Sequence, residues 1–201
     1  AEYYTEAGYL LKADKILNFL QEELKAKPDV YWQAEVDQRQ GVINTYLEKL
    51  NVVNSQLPKL TQTWSELYAT STGKNGKLSA NDTKYRKQMY ARLLTLAGEA
   101  WLLKGDYKKA DSVFRKTDNT VGNLAGKTNP LYTKHLIAMG DVFFDQDDLD
   151  KAEKAYEKAL KSTSKKQKVY LLGLEKLIRT TILDDGDADK YLNSWEKIAD
   201  G

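Results

Sequence analysis

The sequence predicts an all-α protein of about eight helices, and three observations support this fold class. Apolar residues recur at three- and four-residue spacing along most of the chain, as on one buried face of a helix. Helix-capping residues and prolines mark the ends of these segments, as at Pro28-Asp29 and Asn129-Pro130. Between Ala91 and Lys161 the same helix–turn–helix pattern occurs twice. The predicted architecture is a series of antiparallel helix pairs.

Length and composition indicate one soluble domain over residues 1–201. The chain is 41% hydrophobic and 30% charged, which is ordinary for a globular protein with one sizeable core. No run of 18 apolar residues is present, so no membrane-spanning segment is predicted. The net charge of +2 comes from interspersed Lys, Arg, Asp and Glu. Nucleic-acid binding is not expected, because it needs a concentrated basic face.

Residues 1–70 are predicted to form three N-terminal helices. The apolar stripe over residues 1–27 favours one continuous helix, with a degenerate helix pair as the alternative. The next stripe predicts a helix from Val30 to Val53. A third helix is predicted over residues 55–70, with Pro58 in its first turn, where the missing amide hydrogen costs nothing.

Residues 71–81 are rich in Ser, Thr, Gly, Lys and Asn, which predicts a flexible loop and an internal boundary. The repeat region then occupies residues 82–201. Asp82 is expected to cap a helix over residues 83–104, and Gly105-Asp106 supplies the turn to its partner helix over residues 107–117.

The duplicated pattern consists of an apolar residue, a small glycine, an aromatic residue, a turn, and an alanine followed four residues later by an aromatic residue. In the first copy these positions and their neighbours are Leu94, Ala97, Gly98, Trp101, Gly105, Asp106, Tyr107, Ala110 and Phe114. In the second copy they are Leu136, Met139, Gly140, Phe143, Asp147, Asp148, Leu149, Ala152, Tyr156 and Ala159.

This pattern resembles the tetratricopeptide repeat, whose signature is W-x2-L-G-x2-Y followed by A-x3-F. The resemblance implies a right-handed superhelix of stacked helix pairs, with small residues where paired helices approach closely. Gly98 and Gly140 are 42 residues apart, whereas the family period is 34, so about eight residues are inserted. We expect that insertion to form a loop over residues 118–129.

The remaining helices follow from local signals. Asn129 and Pro130 predict the start of a helix ending at about residue 145, and its partner is predicted over residues 149–161. A last pair is predicted over residues 166–183 and 188–199, with Tyr191, Trp195 and Ile198 inward. Arg179 and Tyr191 stand where the pattern has small residues, so this pair is expected to be a polar-faced cap.

The resemblance also implies a concave groove lined by the first helix of each pair. The groove-facing positions correspond here to Arg92, Thr95, Glu99 and Leu102 in the first copy and to Lys134, Ile137, Asp141 and Phe144 in the second. A subclass that clamps a terminal carboxylate has Lys and Asn where this chain has Thr95 and Glu99, which argues against that activity. The alternative is a solvated helix face.

The residue inventory disfavours enzymatic chemistry. The chain has no cysteine, and His135 is its one histidine, so thiol catalysis, zinc–thiolate sites and histidine clusters are excluded. His135 is expected to be structural or exposed. The acidic runs 145–150 and 184–189 are interpreted as helix N-caps, because Lys190 replaces the glycine that a calcium loop requires. No catalytic residue, metal or cofactor is predicted.

The sequence therefore predicts a non-enzymatic scaffold that binds a protein or peptide through the groove. The alternative is a component of a bacterial envelope system that binds a small ligand or glycan, and self-association is open. A first residue other than methionine favours an extracytoplasmic compartment, either the bacterial periplasm or the exterior, and the absence of cysteine is compatible with it. The cytoplasm is the alternative compartment.

Overall fold

The computed structural model describes residues 10–46, 50–72 and 79–199, and within them all regular structure is α-helical. These ranges contain nine helices: α1 (Leu10–Ala26), α2 (Val30–Tyr46), α3 (Leu50–Thr72), α4 (Ala80–Leu103), α5 (Tyr107–Ala125), α6 (Pro130–Phe144), α7 (Leu149–Lys161), α8 (Lys168–Leu183) and α9 (Asp189–Ala199). The all-α prediction and its helix count are confirmed. In the same ranges, no helix has the length and apolarity that crossing a membrane requires.

The chain divides into two compact units, residues 1–104 with α1–α4 and residues 105–201 with α5–α9. The expectation of a single domain over residues 1–201 stays a prediction, as does the right-handed superhelix. Most of the predicted 71–81 loop, residues 73–78, lies outside the described residues.

In the first unit, consecutive helices pack on one another, and α2 contacts α1, α3 and α4. Trp64 and Leu93 are fully buried in the cluster among α2, α3 and α4, and Leu17 and Ile43 are buried in a second cluster between α1 and α2. The interpretation of a continuous N-terminal helix is confirmed for residues 10–26, because no turn interrupts α1. Residues 1–9 lie outside the described residues.

The predicted boundary between the second and third helices is wrong. The helix that begins at Val30 ends at Tyr46 rather than Val53, and Leu50 already belongs to α3. Residues 47–49 lie outside the described residues, and the sequence has neither Gly nor Pro there. Hydrophobic periodicity alone therefore carried the prediction too far. Pro58 consequently lies inside α3 and not in its first turn. Because proline has no amide hydrogen, α3 lacks one backbone hydrogen bond at this position.

The start of α4 also differs from the prediction. Ser79 is the N-cap, and its Oγ accepts a hydrogen bond from the amide of Asp82 at 3.1 Å. Asp82, predicted as the cap, lies in the first turn, where its carboxylate accepts from the Ser79 hydroxyl at 2.7 Å. Serine and aspartate are equally good N-caps, so residue type alone does not identify Ser79 as the cap.

In the second unit, α6 contacts α5, α7 and α8, while α8 contacts both α6 and α7 and α9 packs on α8. The bounds of α7 match the prediction, and those of α6 differ from it by one residue at the C-terminal end. The predicted cap Asn129 accepts a hydrogen bond from the amide of Leu131. Asp148, within the acidic run that was interpreted as an N-cap, accepts one from the amide of Lys151.

The predicted loop over residues 118–129 is mostly helix. Helix α5 continues to Ala125, where Gly126 ends it with a φ of 92°. Val121 and Leu124 are buried, and a Cβ added at Gly122 would lie 3.3 Å from the Tyr132 ring. The insertion therefore lengthens α5 by about two turns, because its apolar residues find a partner in α6.

Candidate partner-binding site

The eight predicted groove residues are divided between the two units, four on α4 and four on α6. On α4, Arg92 is exposed, and Glu99 and Leu102 are partly exposed. Thr95 is buried, and its hydroxyl donates to the Ala91 carbonyl oxygen at 3.1 Å. A partner could reach three of these four side chains directly. Their assignment to a groove stays a prediction.

On α6, the four predicted residues lie on one helix face, because they are three, four and three positions apart. Lys134 is exposed and Phe144 is partly exposed. Ile137 is 4% exposed and packs towards α8, since a Cβ added at Gly173 would lie 3.4 Å from Ile137 Cδ1. Ile137 thus holds α6 against α8, and its neighbours are available for contact with a partner.

Asp141 is at the centre of a polar contact among three helices. Its Oδ1 accepts a hydrogen bond from the Tyr156 hydroxyl of α7 at 2.6 Å and forms an ion pair with Lys176 Nζ of α8 at 2.9 Å. Burial raises the pKa of Tyr156, and the Asp141 carboxylate raises it further, so the phenol stays protonated as a donor. The arrangement fixes the carboxylate while a quarter of its side chain remains exposed.

Phe144 is one turn further along α6 and faces the same neighbouring helix. The guanidinium carbon of Arg179 on α8 lies 4.9 Å from the centre of the Phe144 ring, which is a cation–π distance. Lys176 and Arg179 were not among the predicted residues. Their positions at one-turn spacing on α8 could have suggested them, but no local pattern pairs them with α6.

The close packing beneath this face depends on Gly140. A Cβ added there would lie 2.7 Å from Tyr156 Cδ1, well inside normal contact distance. The sequence predicted a close approach at Gly140 with Ala152 as its neighbour, and the structure shows the ring of Tyr156 in that place. With Gly140 in place, the hydroxyl of Tyr156 lies within hydrogen-bond distance of Asp141.

A second surface feature of this unit is an open cleft of about 660 Å³ between α8 and α9. Its lining is mostly apolar with one acid and one base, namely Glu175, Ile178, Arg179, Ile182, Leu183, Leu192 and Trp195. The prediction that Trp195 points inward is wrong, because its side chain is 43% exposed. The prediction that the last helix pair has a polar face is also wrong, because the cleft between its helices is mostly apolar and Trp195 is exposed there.

His135 is fully buried on α6, with the rings of Phe114 and Tyr132 at 5.1 and 6.4 Å. Burial lowers its pKa to about 4, so the imidazole is neutral at physiological pH. A histidine in this position fills the core instead of facing a substrate. In the described ranges, no group of three or more His, Asp or Glu side chains could hold a metal ion.

The first unit holds a polar cluster that the sequence did not suggest. Glu35 is 4% exposed, and its Oε1 accepts from Arg39 at 2.6 Å and from the Tyr85 hydroxyl at 2.7 Å. Gln38 is 2% exposed and donates to the Met89 carbonyl oxygen at 2.8 Å. These groups join α2 to α4 inside the unit. The sequence signal that could have indicated this cluster is the four-residue spacing of Glu35 and Arg39, which is typical of an ion pair on a helix.

No protein-family model matches this sequence, and no curated protein resembles it significantly.

Proposed function

We propose that this chain is a non-enzymatic, tetratricopeptide-like scaffold that binds a protein or peptide, and that its contact face includes α6 and α8. The observation that carries the proposal is the pair of contacts joining these helices, Asp141 with Lys176 and Phe144 with Arg179. Helices α6 and α8 are the first helices of consecutive pairs. In a stack of repeats, contacts between such helices form the continuous face that a partner can bind.

The chemistry of this face indicates the kind of partner. Asp141 is already satisfied by Lys176 and Tyr156, whereas Lys134 makes no ion pair with any residue that the structure describes. Phe144 offers part of an aromatic ring beside the Arg179 guanidinium. A peptide with an acidic side chain opposite Lys134 and an apolar one at Phe144 complements this face.

The test uses the partner that copurifies with the wild-type chain and measures its dissociation constant. Lys134→Glu combined with Phe144→Ala should weaken binding about tenfold or more, because it reverses one charge and removes the aromatic anchor. Asp141 is left unchanged, since it supports Tyr156 and its loss would disturb folding.

The matched control is Lys154→Glu with Leu149→Ala on α7, which alters one exposed lysine and one partly exposed apolar residue elsewhere in the same unit. This control should bind as the wild type does, and both variants should keep the wild-type circular dichroism. Equal binding by the Lys134/Phe144 variant would overturn the assignment of this face. The α4 residues Arg92 and Glu99 are tested separately by the same assay.

Small-ligand or glycan binding is the alternative function, and thermal-shift measurements separate the two. Peptides with an acidic residue near an apolar one should raise the melting temperature, since a ligand of the folded state stabilises it by mass action. A shift with oligosaccharides and none with peptides would favour the alternative.

A further inference from the structure

The apolar cleft between α8 and α9 differs from the equivalent face of the preceding helix pair. Ala152, Tyr156 and Ala159 of α7 are fully buried, in a helix on which α8 packs. The residues that follow them by 39 positions on α9 are Tyr191, Trp195 and Ile198. Tyr191 and Ile198 are partly buried, whereas Trp195 is 43% exposed and the neighbouring Leu192 is 39% exposed, so this side of α9 is less covered than the equivalent side of α7.

The exposed apolar surface continues along α8. Ile182 and Leu183 are 54% and 55% exposed in the cleft, and Leu172 is 42% exposed on the same helix. Leu172, Glu175, Arg179 and Ile182 are spaced by three, four and three residues, which places them in one stripe. Exposed apolar residues of this size, at both ends of a stripe that carries two opposite charges, are typical of an interaction site.

The stripe carries one negative and one positive side chain, Glu175 and Arg179. Two copies of the stripe that run in opposite directions can therefore bring opposite charges together. In an antiparallel pairing of two α8 helices centred on position 177, Glu175 faces Arg179 of the partner subunit, because each lies two residues from the centre. Leu172 faces Ile182 of the partner subunit in the same register, because each lies five residues from the centre. A two-fold axis forms each of these contacts twice.

We propose that the α8–α9 face is a homodimer interface, in which a second copy of this chain packs antiparallel along α8 and Leu192 and Trp195 enclose the contact. The reciprocal Glu175–Arg179 pairs fix the register, and the apolar residues supply the buried area. The surface includes neither Lys134 nor Asp141, but it shares Arg179 with the face of the proposed partner binding. The Leu192/Trp195 variant leaves Arg179 unchanged and therefore tests the dimer independently of that binding.

The first experiment is light scattering on the wild-type chain over a wide range of concentrations. A dimer that dissociates on dilution is the expected result. Leu192→Glu with Trp195→Glu should give a monomer with unchanged circular dichroism, because two buried carboxylates would be left without partners. The matched control Lys116→Glu with Lys165→Glu, at exposed positions away from the cleft, should remain dimeric. A wild-type monomer at all concentrations overturns the proposal, and so does a dimer that the Leu192/Trp195 variant leaves intact.

The second experiment tests the register by charge exchange. Glu175→Arg alone and Arg179→Glu alone each place like charges opposite each other, and the dimer dissociation constant should rise about a hundredfold. Both substitutions together in one chain restore opposite charges across the two-fold axis, so dimerisation should recover. Failure of the double variant to recover, with its circular dichroism unchanged, overturns the antiparallel pairing.

Discussion

Helices α2 and α6 occupy equivalent positions in their units, since each packs against three other helices, but their buried faces differ in chemistry. Helix α2 buries the polar side chains of Glu35, Gln38, Gln40 and Asn44 beside its apolar ones. Helix α6 buries chiefly apolar and aromatic residues, with Thr133 and His135 as its buried polar side chains.

The two helices also differ in the number of buried polar atoms that form no hydrogen bond with the described residues, three on α2 against His135 Nε2 on α6, whose side chain has other contacts. Glu35 Oε2, Gln38 Oε1 and Gln40 Oε1 are buried and make no hydrogen bond with the part of the chain that the structure describes. In the second unit, the Thr133 hydroxyl is hydrogen-bonded to that of Ser162 at 2.8 Å. Each unsatisfied buried group costs free energy, so we expect α2 to stabilise its unit less per buried side chain than α6 does.

The largest expected effect is a loss of stability at low pH that depends on His135, a buried titratable side chain of α6. His135 has its pKa lowered from 6.5 to about 4 by burial. Between these values the unfolded chain binds a proton that the folded chain does not, so the free energy of unfolding decreases as the pH falls. The expected loss at this site is about 3 kcal/mol, complete near pH 4, and full stability is present above about pH 6.5.

Urea unfolding of the wild type and His135→Phe, followed by circular dichroism across this pH range, measures that loss. The carboxylates titrate in both proteins, so the difference between the two curves isolates His135. Parallel curves would show that His135 is not kept neutral by the fold.

The second prediction compares two helical glycines, one in each unit. Gly140→Ala should destabilise the protein by about 2 kcal/mol, because the new Cβ overlaps the Tyr156 ring. Gly41→Ala on α2 should be neutral or stabilising by up to about 1 kcal/mol, because its Cβ meets Leu96 Cδ2 at an ordinary 3.6 Å and alanine favours helix. Chemical denaturation of both variants checks this, and equal losses would contradict the difference in packing.

The third prediction compares two tyrosine hydroxyls that donate to carboxylates. Tyr85→Phe should cost about 2 kcal/mol, because Glu35 is buried and loses one of two donors. Tyr156→Phe should cost about 1 kcal/mol, because Asp141 keeps Lys176 and is open to water. Denaturation midpoints rank the two variants, and a larger loss for Tyr156→Phe would reverse the comparison of the two cores.

A third tyrosine measurement distinguishes the environments directly. Burial raises the pKa of Tyr85 to about 12, and the hydrogen bond to Glu35 contributes to that rise. Glu35→Gln should lower the pKa of Tyr85, which a spectrophotometric titration detects when compared with Tyr85→Phe. An unchanged titration curve would mean that the carboxylate does not act on this phenol.

The sequence predicted the second unit better than the first. Its caps and breakers are local signals, such as Asn129-Pro130 and Gly105-Asp106, and the structure places helix ends at both. In the first unit, no breaker separates α2 from α3, and buried Gln38 and Gln40 interrupt the apolar stripe. Hydrophobic periodicity does not detect the buried residues of a helix face when those residues are polar.

The candidate site was predicted only in part. A face of α6 with Lys134, Asp141 and Phe144 follows from helical spacing, and the resemblance supplied its proposed role. The contributions of α8 lay beyond sequence reasoning, because Lys176 and Arg179 each reach α6 residues 35 positions away.

The sequence by itself determined the all-α class, most helix ends in the second unit and the glycine that α6 needs, because each depends on neighbours within a few residues. The tertiary structure decided which stripes are covered. Tyr156 and Trp195 both occur in amphipathic helices, yet one is fully buried and the other 43% exposed. Spacing shows that a helix has an apolar face, and only packing against other helices determines whether that face is buried.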